Sequence, residues 1–353
     1  MMNYKKTLFF IGKCLTISYE EKNRLEIEKE LKSNSVDWDS VVKVSTAHYV
    51  FPALYCNLKR TNFIHYLPKE LVEYMIYITN LNRERNQQII VQAKEINELL
   101  LANNITPIFL KGTGNLIEEL YEDIAERMVG DIDILVAKHE LKETITVLRD
   151  NGYENVLLTE NTIPNHRHYP RLVKKDSIGS VEVHHEMLIE KHSINFNYQT
   201  VKPSVINYKN FSFLGLEDQL KLTILSKQVN DDGHFLKNIS FKNSYDVFLL
   251  SKKINTLKVV EKTSDFSVII NSFMATTATL LNYPKSIAYI SSKSTKLFVK
   301  SSLKNYNNKL RHRFLSNYIL LRKTLVVLSK SFTSKEHRNY IISRLKQSFK
   351  QNT

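Results

Sequence analysis

Glycine, proline and cysteine are scarce in this chain of 353 residues, which contains 8, 7 and 2 of them. Few glycines and prolines predict few tight turns and long helices. The two cysteines, Cys14 and Cys56, form no C-x-x-C pair. The sequence therefore favours neither a disulfide framework nor a zinc site, and it fits a reducing compartment.

Long uncharged segments are also lacking. The longest lies between Asp265 and Lys285; it contains Ser, Asn and Thr and makes a poor membrane span. The N-terminal apolar stretch is interrupted at Lys13 and shows no small-residue cleavage site, so we expect no secretory signal. These features predict a cytoplasmic protein without a membrane span.

Acidic residues are almost absent from the C-terminal region. Residues 285–350 contain 16 Lys or Arg and one acid, Glu336, which gives a formal charge of +15 in a chain whose total is +14. Such a region is either a solvated helical surface or a binding surface for RNA or another polyanion. No nucleic-acid-binding motif accompanies it, so the sequence leaves both alternatives open.

Apolar spacing divides the chain into four regions. Residues 1–104 predict helices, among them a long one from Pro68 to Leu101. Short apolar runs between helical patterns predict a core with a mixed sheet over 105–205. Helical patterns return over 206–283 and continue through the basic residues 284–353. The sequence therefore predicts an α+β fold, with a small mixed-sheet core flanked by N-terminal and C-terminal helical regions.

Asp131 and Asp133 are the first candidates for chemistry. They begin an apolar strand pattern, and alternate side chains of a strand share a face, so both carboxylates should project together. Glu182 occupies a similar position in the alternating segment 180–184. An Asp-x-Asp pair alone is typical of solvated loops, but its place in an apolar strand favours a metal site. Three carboxylates on adjacent strands could hold two Mg²⁺ ions about 3.5–4 Å apart.

A glycine turn precedes this strand. Residues 111–114 read Lys-Gly-Thr-Gly, between a short apolar run and a helical stretch. A strand-to-helix turn of this kind presents backbone N–H groups to an anion. Gly112 would let a phosphate approach closely, Thr113 would add a hydroxyl donor and Lys111 a positive charge. The simpler alternative is a tight turn without a ligand, and the P-loop order is absent.

The order of these motifs resembles the polymerase-β-like nucleotidyltransferase superfamily, and most closely its bacterial group of uncharacterised nucleotidyltransferase family proteins. That group shows a Lys-Gly turn, an Arg before Gly-Asp-Ile-Asp, a Gly-Tyr pair after the next helix, and Val-Glu-Leu-His. The corresponding residues here are Lys111 and Gly112, Arg127, 130–136, Gly152 and Tyr153, and 181–184. The resemblance spans about residues 20–255, and the aspartate segment is its specific part.

The resemblance implies an enzyme that transfers a nucleoside monophosphate from an NTP to an acceptor, with Mg²⁺ or Mn²⁺ as cofactor. It implies Asp131, Asp133 and Glu182 as the catalytic, metal-binding carboxylates, with Glu182 also as the base. His184 shares a face with Glu182, and we expect it to donate a hydrogen bond to a ligand rather than bind metal itself. The helical region 206–283 would lie on the substrate side.

The resemblance assigns the triphosphate to Gly112 and Thr113, and Lys111 and Arg127 complete the expected nucleotide-binding residues. Arg127 would pair with the aspartates or with a phosphate, although an ordinary surface arginine fits the same position. Two departures stand out. Thr113 replaces the Gly or Ser of the group, and the linker 114–130 is longer than in compact members of the superfamily.

Three functions remain open at this point. The first is transfer to a small-molecule acceptor. The second is a toxin-like transfer to RNA or to a protein, which the basic C-terminus with its interleaved aromatic residues favours slightly. The third is a non-catalytic nucleotide-binding protein, which an intact carboxylate set argues against. His166 and His168, in a polar loop, are further candidates for acceptor contacts.

Overall fold

A computed structural model of the protein describes residues 4–156, 164 and 166–351, and it shows a mixed sheet flanked by helices on both sides in sequence. The predicted α+β fold is confirmed. The helices in the described part are α1 (Tyr4–Cys14), α2 (Glu21–Lys32), α3 (Trp38–Ala47), α4 (Phe51–Arg60), α5 (Lys69–Ala102), α6 (Lys111–Ile117), α7 (Leu141–Asp150), α8 (Glu190–Ser193), α9 (Tyr198–Val201), α10 (Leu216–Leu225), α11 (Gly233–Leu236), α12 (Phe241–Ser251), α13 (Thr256–Lys262), α14 (Ser267–Leu280), α15 (Lys293–Asn305), α16 (Lys309–Ser331) and α17 (Lys335–Gln351).

The described strands form one sheet in the spatial order β3-β4-β5-β2-β1-β7-β6. They are β1 (Ile108–Phe109), β2 (Asp131–Leu135), β3 (Tyr153–Asn155), β4 (Leu172–Lys174), β5 (Ser180–His184), β6 (Ile206–Tyr208) and β7 (Phe211–Phe213). β2 pairs with β5 in parallel and with β1 in antiparallel, and β1 pairs with β7 in parallel. The sheet thus extends beyond residue 205, where we expected the core to end; the division into four regions stays a prediction.

The alternating pattern of β2 and β5 explains why these segments form the centre of the sheet. Ile132, Ile134, Val181 and Val183 are buried in one continuous core. Their polar neighbours therefore project from the opposite face, since successive strand side chains point to opposite sides. This face carries the candidate site.

Helix α5 holds the loop that leads into β2. The amides of Asn82 and Asn86 donate to backbone carbonyls of residues 124, 125 and 127. Gln92 exchanges two hydrogen bonds with the backbone of Gly179, just before β5. These contacts satisfy buried backbone groups of a long connection. They fix where both central strands begin.

The chain after the sheet is helical. α10, α12 and α14 contribute buried apolar faces to the core, whereas α16 and α17 are largely exposed. Among the described residues, no helix combines the length and the apolar character that crossing a bilayer requires.

Candidate functional site

Asp133 and Glu182 meet at the centre of the sheet. The parallel register of β2 and β5 places them directly opposite each other, although 48 residues separate them in the sequence. His184 Nε2 lies 2.8 Å from Asp133 Oδ1 and 3.5 Å from Glu182 Oε2. One donor atom from each of the three residues lies within 4.8 Å of the others, which makes them a group that could hold a metal ion. All three side chains are buried.

Asp131 lies outside this close group. Its carboxylate accepts hydrogen bonds from Arg171 Nη2 at 2.9 Å and from Ser180 Oγ at 2.9 Å. The same guanidinium donates from Nε to Glu182 Oε1 at 2.7 Å. The structure therefore brings together two of the three expected carboxylates directly, and the third through Arg171.

Sequence reasoning missed Arg171. The segment 171–174 carries a strand pattern, but nothing in it shows which strand it pairs with. β4 pairs with β5 through Leu172 and Val181, and this brings the preceding arginine beside Glu182. Only the tertiary pairing of the two strands reveals the contact.

Lys111 supplies a second cation to the group. Its backbone takes a positive φ of 52°, uncommon for a residue with a side chain, at the first position of α6. Its Nζ lies 2.5 Å from Asp133 Oδ1. Lys111 and Arg171 together balance much of the charge of the three carboxylates.

The electrostatic surroundings keep Asp133 and Glu182 ionised. Burial acts to raise the pKa of Asp133, but Lys111 and His184 outweigh it, and the pKa lies below its ordinary value. Burial is likewise outweighed at Glu182, where the hydrogen bond to His184 and the cations nearby hold the pKa well below the usual range. Both groups are therefore carboxylates at neutral pH.

His184 is held in one orientation. Arg167 Nη1 donates to its Nδ1 at 3.3 Å, so Nδ1 is an acceptor and the ring proton sits on Nε2, which donates to Asp133. This assignment follows from the hydrogen-bond network. The expected role of His184, a hydrogen bond to a metal ligand rather than metal binding, stays a prediction.

The glycine turn differs in part from expectation. Thr113 is fully buried, and its hydroxyl donates to the carbonyl of Asp131 at 2.8 Å, tethering α6 to β2. We expected the Thr113 hydroxyl to donate to a phosphate. The structure corrects this expectation, because the hydroxyl already donates to the carbonyl of Asp131. Gly112 does face the cleft, and a Cβ there would lie 3.0 Å from Val129 and 3.6 Å from the Arg127 guanidinium.

Arg127 pairs with neither Asp131 nor Asp133, contrary to one of its expected roles. Its Nε lies 3.0 Å from Asp246 Oδ2, and its Nη1 donates to the carbonyl of Met128 at 2.8 Å. Tyr121 donates to the same Asp246 carboxylate at 2.7 Å. Arg127 and Asp246 are both buried, yet both reach the cleft wall beside Gly112. A surface position for Arg127 is excluded.

The polar loop before β4 also reaches the site. The backbone of His168 forms an isolated antiparallel β-bridge with that of His184. The Nε2 atom of His168 lies 3.8 Å from Glu182 Oε2. Burial lowers the pKa of His168 to about 3, so the ring is neutral at ordinary pH. His166 packs edge-on against the His168 ring at 4.3 Å.

A cleft of about 970 Å³ opens in front of these residues. Of its described lining residues, eight are Lys or Arg and five are Asp or Glu, so it attracts anions. The cations are Lys43, Lys111, Arg127, Arg167, Arg171, Lys227, Lys242 and Lys309.

Lys242 was not predicted from the sequence. It is half-buried at the start of α12, and its Nζ lies 5.2 Å from the centre of the Tyr49 ring. No salt bridge joins it to any described residue. Burial, with Arg127 nearby, lowers its pKa to about 8. An unpaired lysine that faces a cleft is suited to an anionic ligand.

Fold and site together define a class: an α+β protein with opposed carboxylates on parallel strands beside a cationic cleft. The family described as "Uncharacterised nucleotidyltransferase" matches residues 34–265, about two thirds of the chain, and the chain belongs to this family. The resemblance seen in the motifs is thereby confirmed at the level of the family. No curated protein and no solved structure matches the chain.

Proposed function

We propose that the protein is a metal-dependent nucleotidyltransferase of the polymerase-β-like superfamily, which transfers a nucleoside monophosphate from an NTP to a small-molecule acceptor. One observation carries the proposal beyond family membership. Asp133 and Glu182 stand opposite each other on parallel strands, ionised and buried, at the wall of a cleft rich in cations.

The donor set fits a divalent cation such as Mg²⁺ or Mn²⁺. Both Asp133 and Glu182 offer carboxylate oxygens, the ligand type that these ions prefer, and Asp131 lies on the same strand face as Asp133. Two protein cations, Lys111 and Arg171, are needed to balance these acids in the structure. A bound divalent ion would neutralise the carboxylates, polarise a phosphoryl oxygen and activate the attacking hydroxyl.

The phosphates of the donor fit beside the glycine turn. The first N–H groups of α6 have no partner within the helix, and Gly112 presents only backbone to the cleft. Lys111 and Lys242 line the same wall, beside the Arg127 guanidinium that is already paired with Asp246. We assign the triphosphate to this wall, where these groups bind and orient it.

The strongly lowered pKa of Glu182 changes one expectation from the resemblance. A general base works best when its pKa lies near the working pH, and the pKa of Glu182 lies far below it. We therefore assign Glu182 to cation binding, and we assign to His184 the orientation of Asp133.

One observation favours the alternative acceptor, RNA or a protein. Lys309 and His312, in the first turn of the basic helix α16, line the same cleft. A polyanionic chain bound along the basic region would therefore reach the site. This alternative uses the same donor chemistry and differs only in the acceptor.

The test supplies labelled NTPs and Mg²⁺ or Mn²⁺ to the purified protein, with three acceptor sources in separate reactions: a small-molecule filtrate, total RNA and total protein of a bacterial cell. We expect labelled product from the filtrate, absent from Asp133→Asn and Glu182→Gln. Glu154→Gln, an exposed acid on β3, is the matched control and should remain active. Label only in RNA or protein would select the alternative, and transfer that survives both site variants would refute the proposal.

A further inference from the structure

The outward face of α16 is apolar and exposed. Eight large apolar residues on this helix, and Phe332 directly after it, keep between 43% and 85% of their surface in contact with solvent. Five of the eight share one side of the helix with Phe332. They fall within about 60° of one another around the helix, at 3.6 residues per turn. We call them the α16 stripe: Leu310, Phe314, Leu321, Leu325, Leu328 and Phe332.

The opposite side of α16 anchors it to the body of the protein. Ile319 is buried there, and Lys323 and Arg322 both bind Asp232, at 2.8 and 3.2 Å. Arg311 Nη1 donates to the carbonyl of Leu236 at 2.9 Å. The helix is therefore fixed in its rotation, and the stripe is presented to solvent along its 23 residues, about 34 Å. Exposed apolar patches of this extent mark interaction sites.

The charge around the stripe limits what can cover it. α16 contains no acidic residue, and residues 285–350 carry a formal charge of +15. A second copy would bring the same basic flanks against these, with no acid on either helix to form an interhelical salt bridge. The charge is complementary to an anionic partner.

The apolar side chains distinguish between anionic partners. Leucine side chains gain little from a sugar-phosphate backbone, which binds cations and stacks its bases on aromatic rings. A helix with an apolar face and Lys or Arg on the remaining surface is typical of segments that lie in the interface of a bilayer. The exposed apolar side chains of α16 and its Lys and Arg side chains are satisfied together only by hydrocarbon and headgroups.

We infer that α16 binds the surface of an anionic lipid bilayer, with the stripe in the acyl boundary and the flanking Arg313 at the headgroups. This inference does not depend on the proposed activity. Two residues of the same helix, Lys309 and His312, line the cleft. A protein bound through α16 carries its cleft close to the bilayer.

The test measures sedimentation of the full chain with vesicles of phosphatidylcholine alone or with about 30% phosphatidylserine, at about 0.15 M salt. We expect binding to the anionic vesicles at least about tenfold tighter than to the neutral ones. The variant Leu321→Ser/Leu325→Ser/Phe332→Ser should lower it about tenfold or more. Leu25→Ser/Val91→Ser/Val268→Ser, changed at equally exposed apolar positions on other helices, is the matched control and should bind as the parent does.

Because the replaced side chains are exposed, both triple variants should keep the melting temperature of the parent. Absence of vesicle binding, or equal binding by the stripe variant, would overturn the inference. A dimer in light scattering that the stripe variant abolishes would overturn it in favour of a second copy. Loss of random-sequence RNA binding in the stripe variant, without any vesicle binding by the parent, would overturn it in favour of RNA.

Discussion

Arg171 joins Asp131 to Glu182: its guanidinium donates one hydrogen bond to each carboxylate, at 2.9 and 2.7 Å. It is half-exposed, whereas Glu182 is buried. A protein cation thus lies where the acids of β2 and β5 converge. The charge that a bound divalent ion would supply is provided in this structure by Arg171 and Lys111.

Loss of either central carboxylate should weaken metal binding. We expect Asp133→Asn and Glu182→Gln to lower the affinity for Mn²⁺ by at least about 10- to 100-fold, the range that loss of even an orienting partner causes. Isothermal titration calorimetry measures it without any acceptor. Glu154→Gln should bind as the parent does. Unchanged affinity in both site variants would show that Asp133 and Glu182 do not bind the metal.

Replacement of Arg171 should act in the opposite direction. Arg171→Gln removes a cation that competes for Asp131 and Glu182, so Mn²⁺ should bind several-fold tighter, about threefold or more given the exposure of the arginine. The same titration measures it. Arg149→Gln, an arginine that lies outside the carboxylate group, is the control. Weaker binding in Arg171→Gln would mean that this arginine supports the metal site.

Nucleotide affinity should fall as the pH rises through the pKa of Lys242, about 8. The ammonium is charged below that pH and attracts the triphosphate, and it is neutral above it. We expect NTP affinity to fall several-fold between about pH 7 and pH 9, as measured by fluorescence titration. Lys242→Arg should abolish this loss because arginine stays protonated. An identical pH profile in both proteins would exclude Lys242 from the nucleotide site.

Removal of one partner of the buried ion pair between Arg127 and Asp246 should destabilise the protein. Both side chains are buried, so Asp246→Ala leaves an unpaired buried guanidinium and should lower the free energy of unfolding by about 3–5 kcal/mol. Urea denaturation measures it. Arg127→Met with Asp246→Leu removes both charges and should recover much of that loss. A double variant less stable than Asp246→Ala would show that charge burial is not the cause.

Sequence patterns identify the strands of the site but not how they meet. The alternation around Asp131 and around Glu182 predicts that each segment is a strand with its acids on one face. It does not give the register that sets Asp133 opposite Glu182. The pairing of β4 brings Arg171 to the site, and the packing of α12 brings Lys242 there. Both are long-range contacts without a local signal in the sequence.

Thr113 and Arg127 show a second limit of prediction from sequence, because both side chains form hydrogen bonds within the protein. Both residue types suit phosphate binding, but each also suits an internal hydrogen bond, and composition does not distinguish the two. Thr113 instead binds the carbonyl of Asp131, and Arg127 binds Asp246. The basic C-terminus was visible in the sequence, whereas the exposed stripe on α16 became visible only when its anchored face was known.

The fate of the donor's phosphates decides whether the protein transfers a nucleoside monophosphate. Parallel reactions with NTP labelled at the α-phosphate or at the γ-phosphate show which group reaches the acceptor. We predict that the product carries the α label, that the γ label leaves as pyrophosphate, and that Asp133→Asn stops both. A product carrying the γ label, or one that forms equally with Asp133→Asn, would contradict it.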